Sequence, residues 1–186
     1  MSGSVKGGAN YNFDNNHNVF ANIGFISRAP IFSGGVFLMS QSSNVINKDA
    51  VNEKAFSAEI GYGYRNNWLT ANLNAYYTLW KDKTTSQAGY MNSGTDLFTM
   101  SLGGVDAKHL GVEVDVTAKP ASWVTVKGML SLGNWKWASD AMAYFYNSAN
   151  QPLANLTTGA VASGVGADDH LKFTLKQDGN HVGGSA

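Results

Sequence analysis

Between Ala55 and Trp80 apolar and polar residues alternate almost without a break, and few folds can accommodate so long a run. Phe56, Ala58, Ile60, Tyr62 and Tyr64 fall on one side, with Ala55, Ser57, Glu59, Gly61 and Gly63 on the other. After the polar turn Arg65-Asn66-Asn67, Leu69, Ala71, Leu73, Ala75, Tyr77 and Leu79 alternate with Thr70, Asn72, Asn74, Tyr76, Thr78 and Trp80. Period-two alternation marks a strand with one apolar and one polar face. Soluble strands usually stop after about 5–6 residues, whereas a tilted strand that crosses a bilayer needs about 9–11. The run from Trp68 to Trp80 exceeds both lengths. It predicts a transmembrane β-barrel strand whose polar face lines a lumen and whose apolar face meets lipid.

The pattern recurs. Six long strands are predicted, at about 5–13, 19–27, 55–64, 68–80, 109–119 and 123–133, in an all-β, antiparallel, up-and-down arrangement. Short turns at Asp14–Asn18, Arg65–Asn67 and Pro120–Ser122 alternate with long connections at 28–54, 82–108 and 134–186, the last holding a short strand near Leu171 to Lys176. Short periplasmic turns and longer extracellular loops are the asymmetry of bacterial outer-membrane barrels. Aromatics fit girdles at both ends: Tyr62, Tyr64, Trp68 and Trp123 by the short turns, and Tyr76, Tyr77, Trp80, Trp135 and Trp137 by the long loops. Closing Pro120–Ser122 as a three-residue loop sets Lys119 opposite Trp123 and Asp115 opposite Lys127.

Composition narrows the function. The chain balances 13 basic against 13 acidic residues, which argues against a nucleic-acid partner, since phosphate binding needs a basic excess. With no cysteine, disulfide and thiolate-zinc frameworks are excluded. No apolar run is long enough for a transmembrane helix, and Met1–Lys6 lacks the apolar core of a secretory signal. The four histidines are scattered, without His-Glu-x-x-His spacing, so no catalytic constellation, cofactor or metal site is read. Asp168-Asp169-His170 is either a solvated loop tip or a weak cation site.

Several blocks resemble the barrel of TonB-dependent outer-membrane receptors, in particular the Bacteroidetes-type group with a carboxypeptidase-regulatory-like N-terminal domain. They are Asn18 to Pro30 with its Arg-Ala-Pro corner, Asn52-Glu53-Lys54 leading into Glu59 to Arg65, and Asn72 to Tyr77 followed by Trp80 to Lys83. His109 to Asp115 and Leu132 to Trp137 complete the set. The resemblance implies a barrel of roughly 22 strands around a plug. Such receptors import a scarce ligand (iron-siderophore, cobalamin or glycan) with energy from the TonB complex. It implies a C-terminal barrel fragment in the outer membrane, lacking plug and terminal strands, and not an enzyme. Its partners would be outer-membrane lipid, the missing plug and strands, the TonB complex and an unidentified ligand.

Within that reading, Glu59, Glu113, Asp115 and Lys127 lie on lumen faces, as contacts for plug or ligand or as ordinary hydrated charges. Trp80, Trp135 and Trp137 border the long-loop rim, where they either stack on a ligand or anchor the girdle. The competing class is a structural or adhesive surface β-protein, or an autotransporter-type barrel without active transport.

Overall fold

The computed structural model describes residues 2–38, 45–91, 96–149, 151–155, 159–161 and 173–177 of the 186. These form eight strands: β1 Gly3–Asn12, β2 His17–Arg28, β3 Glu53–Arg65, β4 Leu69–Met91, β5 Asp96–Ala121, β6 Val124–Trp137, β7 Ala141–Asn147 and β8 Phe173–Leu175. All pair antiparallel in one sheet, and no described residue is helical. Strands β1 to β5 follow in chain order, and β6 and β7 pair with successive stretches of β5. No pairing among the described residues joins β1 to β6, so the sheet is open.

Asx chemistry makes the short turns. The Asp14 carboxylate accepts the Asn16 and His17 backbone N–H groups at 2.7 and 2.8 Å, and the Asn66 side-chain oxygen accepts those of Trp68 and Leu69 at 3.0 and 2.7 Å. Each bond supplies a local partner to backbone that has left the ladder.

From these turns the register runs unbroken through β1–β4 and on through β5 and β6 over residues 107–118 and 126–137. Directly opposed residues share a face, so two continuous surfaces result. One carries Val5, Ile23, Ile60, Leu73, Val112, Leu130 and Leu132, all exposed. Ile60 is 62% and Leu132 65% accessible, which water does not favour over an area this large. The other surface is polar.

A second, different structure sits beyond the long-loop end. There β4, β5 and β7 continue outward, and Leu102, Val105, Ala141, Ala143, Phe145 and Leu153 form a buried cluster with Phe98, Met100 and Phe173 against it. A second cluster joins Leu38 and Val45 of the β2–β3 connection to Tyr144 and Tyr146 of β7. The conventional hydrophobic core therefore lies wholly in this outer lobe, and the long strands below it have none.

Three sequence expectations are corrected here. Residues 82–108 are not a loop: β4 runs on to Met91 and β5 starts at Asp96. In its β5 part the consecutive, oppositely facing Ser101 and Leu102 are both buried, which removes the alternation that would have revealed it. Residues 134–137 belong to β6, and β7 occupies 141–147 of the supposed tail. The short strand expected near Leu171 to Lys176 is present, as Phe173–Leu175. Finally, Asp115 faces Met129 and Lys127 faces Thr117, because the register shifts between Ala118 and Ala121 and the turn tightens to Ser122 and Trp123. Pro120, with no N–H to give, sits in that irregular stretch.

Two predictions follow from the outer lobe. Leu153 is fully buried, so Leu153→Ala should cost about 2–5 kcal/mol in denaturant unfolding. Burial pushes the Tyr146 phenol up to about 12. An unfolded phenol ionises near pH ~10, so stability is full below that pH and is lost as pH rises toward the folded value. The lobe should melt in that alkaline window by near-ultraviolet circular dichroism, and Tyr146→Phe should move the transition upward.

Candidate functional site

The polar surface is ordered in register rows that cross all six long strands. Nearest the outer lobe runs Ser4, Ile26, Ala55, Trp80, Ala107 and Trp137, followed by Lys6, Gly24, Ser57, Thr78, His109 and Trp135. Below these, Asn22, Glu59 and Tyr76 share a row, as do Phe20, Asn74 and Glu113, and as do Asn12, Asn18, Asn72 and Asp115. Arg65, Thr70, Thr117 and Lys127 form the last row before the short turns. The wall thus grades from aromatic, through amide and carboxylate, to basic.

Glycines let large side chains lie flat on this wall. A Cβ on Gly61 would come within 2.3 Å of the Phe20 ring, and one on Gly111 within 2.5 Å of the Tyr76 hydroxyl. Because Gly111 has no side chain, Tyr76 on β4 reaches across β5, and its hydroxyl accepts the Trp135 indole N–H of β6 at 3.0 Å. His109 approaches the same indole, with ring centroids 6.3 Å apart.

One row up, Trp80 and Trp137 flank Ala107. The Lys83 ammonium lies 5.7 Å from one indole centroid and 5.8 Å from the other, within cation–π range of both. Alternation alone would put Lys83 on the opposite face from Trp80; the register shift between these residues turns it inward. The same irregularity leaves backbone donors without ladder partners, and side chains take them up. Thr84 N–H donates to Glu53 Oε1 at 2.8 Å, Asp82 N–H to Asp106 Oδ1 at 3.1 Å and Asp106 N–H to Ser139 Oγ at 2.8 Å. Glu53 is 1% exposed, and its Oε2 also accepts Arg28 Nε and Nη2, each at 2.7 Å. Arg28 in turn lies 5.7 Å over Trp80.

The structure places Trp80, Trp135 and Trp137 on the polar wall, two rows deep, together with Tyr76. That corrects the girdle expectation at this end, because a lipid anchor must project from the apolar face and only Tyr77 does so. At the short-turn end Tyr62 and Tyr64 do lie on the apolar face, where the His17 imidazole hydrogen-bonds Tyr62 and packs beside Tyr64. Glu59 accepts from Asn22 Nδ2 at 3.2 Å and Glu113 from Ser131 Oγ at 3.2 Å, whereas Asp115 and Lys127 are exposed and not opposed. Asp168–His170 lie outside the described residues. Sequence reasoning missed Tyr76, Lys83 and Glu53. Glycine opposite an aromatic was the one available signal for Tyr76; nothing local marks the pairing of Arg28 with Glu53.

Removing Glu53 would leave the Thr84 N–H buried without its acceptor, so Glu53→Ala should cost about 1–3 kcal/mol in detergent unfolding. Gly111→Val should shift the Trp135 indole N–H resonance as Tyr76 is displaced, and Gly111→Ala should do so less.

The chain matches no curated protein and no solved structure. Residues 2–180 match the family described as TonB dependent receptor-like, beta-barrel, a family of outer-membrane receptors and transporters. An all-β antiparallel sheet with one exposed apolar face, one polar face and an outer lobe is the form that such a barrel requires, and this chain belongs to that family.

Proposed function

We propose that this sheet forms part of the wall of an energy-coupled importer, with its apolar face in outer-membrane lipid and its polar face toward the lumen. The observation that carries the reading is the two-faced register, which keeps large aliphatic side chains accessible on one side through six consecutive strands. In water that surface would drive association; in a bilayer it is solvated. The short turns then face the periplasm and the outer lobe the exterior, as in the Bacteroidetes-type receptors that the sequence resembles. Further strands and a plug complete the lumen, and the TonB complex acts through that plug.

The ligand is a scarce solute of the iron-siderophore, cobalamin or glycan class. Trp135, Tyr76, Trp80 and Trp137 offer it flat ring faces just inside the outer mouth, and Glu59, Glu113, Asp115 and Lys127 line the path below. Aromatic stacking contributes about 0.5–1.5 kcal/mol per contact. Trp135 is 61% exposed, whereas Trp80 and Trp137 are already engaged by Lys83. Trp135→Ala should therefore weaken ligand binding by about 2- to 10-fold, and Trp137→Ala by less.

Uptake of a panel of labelled siderophores, corrinoids and oligosaccharides by cells making the receptor, with and without the proton-motive force, tests the assignment. Import of one class that stops when the force is collapsed is the expected result; energy-independent passage would reduce the protein to a passive pore. The lipid-facing assignment has its own test. Ile60→Lys should destabilise the bilayer-inserted protein by about 2–4 kcal/mol, and no such cost would arise if Ile60 faced water.

A further inference from the structure

Where the apolar face meets the outer lobe, it ends in lysines. Lys108 follows Leu79 in the row that begins with Val5, Phe25 and Phe56, and its neighbour on β6 is Lys136. One position further out, Lys54 on β3 lies directly opposite Lys81 on β4. All four are exposed. Like charges directly opposite across strands are destabilising, and here two such pairs stand in successive rows of the same face, one on β3 and β4 and the other on β5 and β6.

The local carboxylates do not cancel them. Asp82 pairs with Lys54 Nζ at 3.0 Å, and Asp106 accepts the Asp82 backbone N–H. Lys81, Lys108 and Lys136 make no ion pair among the described residues. The short-turn end of the same face is finished differently, with Tyr62, Tyr64 and His17. One boundary of the apolar band is cationic and the other aromatic.

We infer that Lys54, Lys81, Lys108 and Lys136 form a docking surface for the net-anionic, phosphate-bearing headgroups of membrane lipid in the outer leaflet. The inference rests on the lipid-facing reading of the apolar surface. The geometry favours a lipid over a free anion because the ammonium groups border the aliphatic band, so one molecule can place its chains on Phe25, Phe56 and Leu79 and its phosphate against Lys108 and Lys136. Lysine stems lie along apolar surface while their heads reach the polar layer, and each lysine near an anionic membrane surface strengthens attraction. The bound phosphates also relieve the cross-strand repulsion.

The test uses the full chain in nanodiscs of phosphatidylcholine alone, or mixed with phosphatidylglycerol or with lipopolysaccharide. Insertion into phosphatidylcholine is scored first by flotation and heat-modifiable mobility; failure there counts against the lipid-facing reading itself and removes the basis for the lysine site. For inserted protein, enrichment of anionic lipid over phosphatidylcholine around the chain is read by mass spectrometry of retained lipid. It should fall about fivefold for each lysine replaced in K81Q, K108Q and K136Q, fall at high salt, and persist in the corresponding arginine variants. K6Q, which removes charge from the polar face, should leave lipid retention unchanged. A second readout guards against misfolding of the triple variant: K108Q alone should raise the unfolding midpoint in phosphatidylcholine and lower it in the anionic mixtures. Equal retention by wild type and lysine variants would overturn the proposal, as would equal stabilisation by inorganic phosphate in phosphatidylcholine discs.

Discussion

Backbone pairing in a single register governs everything else in this sheet. Six strands stay in step, and a slip of one residue at any pair would carry Ile60, Leu73 or Val112 to the polar side and Glu59 or Glu113 to the apolar one. The two faces are therefore a property of the ladder rather than of any one strand. The short Asx turns matter for this reason: Asp14 and Asn66 fix the β1–β2 and β3–β4 hairpins through local hydrogen bonds. Where the ladder does break, between Trp80 and Thr85, the freed donors are met by Glu53, Asp106 and Ser139, so the irregularity is a defined change of direction. It also turns Lys83 onto the aromatic shelf.

Two stabilisation regimes meet at that level. Below it, aliphatic side chains stay accessible; above it, β5 and β7 bury residues of both faces, as in a soluble protein. The Arg28–Glu53 pair, with its carboxylate buried and its guanidinium half exposed, lies at the junction, where the β2–β3 connection departs. It ties the last residue of β2 to the first of β3 and, through Thr84, to the bend in β4.

The sequence disclosed the long strands because their two environments differ, and alternation records that difference directly. Leu69 to Trp80 can be read as a strand without any knowledge of its neighbours. It concealed the outer lobe because Thr84 to Met91 and Leu97 to Val105 carry many small polar residues, which in isolation resemble loop, and because Ser101 and Leu102 are buried alike on opposite faces. The Asp115–Lys127 pairing failed for a narrower reason: turn length cannot be counted through Pro120 once the strand is irregular there. For the site, the tryptophans could be found as residue types. Their face depended on a parity count that the rim position of Trp80, Trp135 and Trp137 had overshadowed. The contact of Tyr76 with Trp135 spans an intervening strand and required the register of three strands at once.

The glycines beneath Phe20 and Tyr76 shape the relief of the polar wall. In each of these two rows the largest side chain reclines over a neighbour that has none, so bulk is taken up sideways along the sheet instead of standing out from it. On the proposed lumen side, those two rows would present ring faces laid against the sheet, a surface to slide along rather than a row of posts.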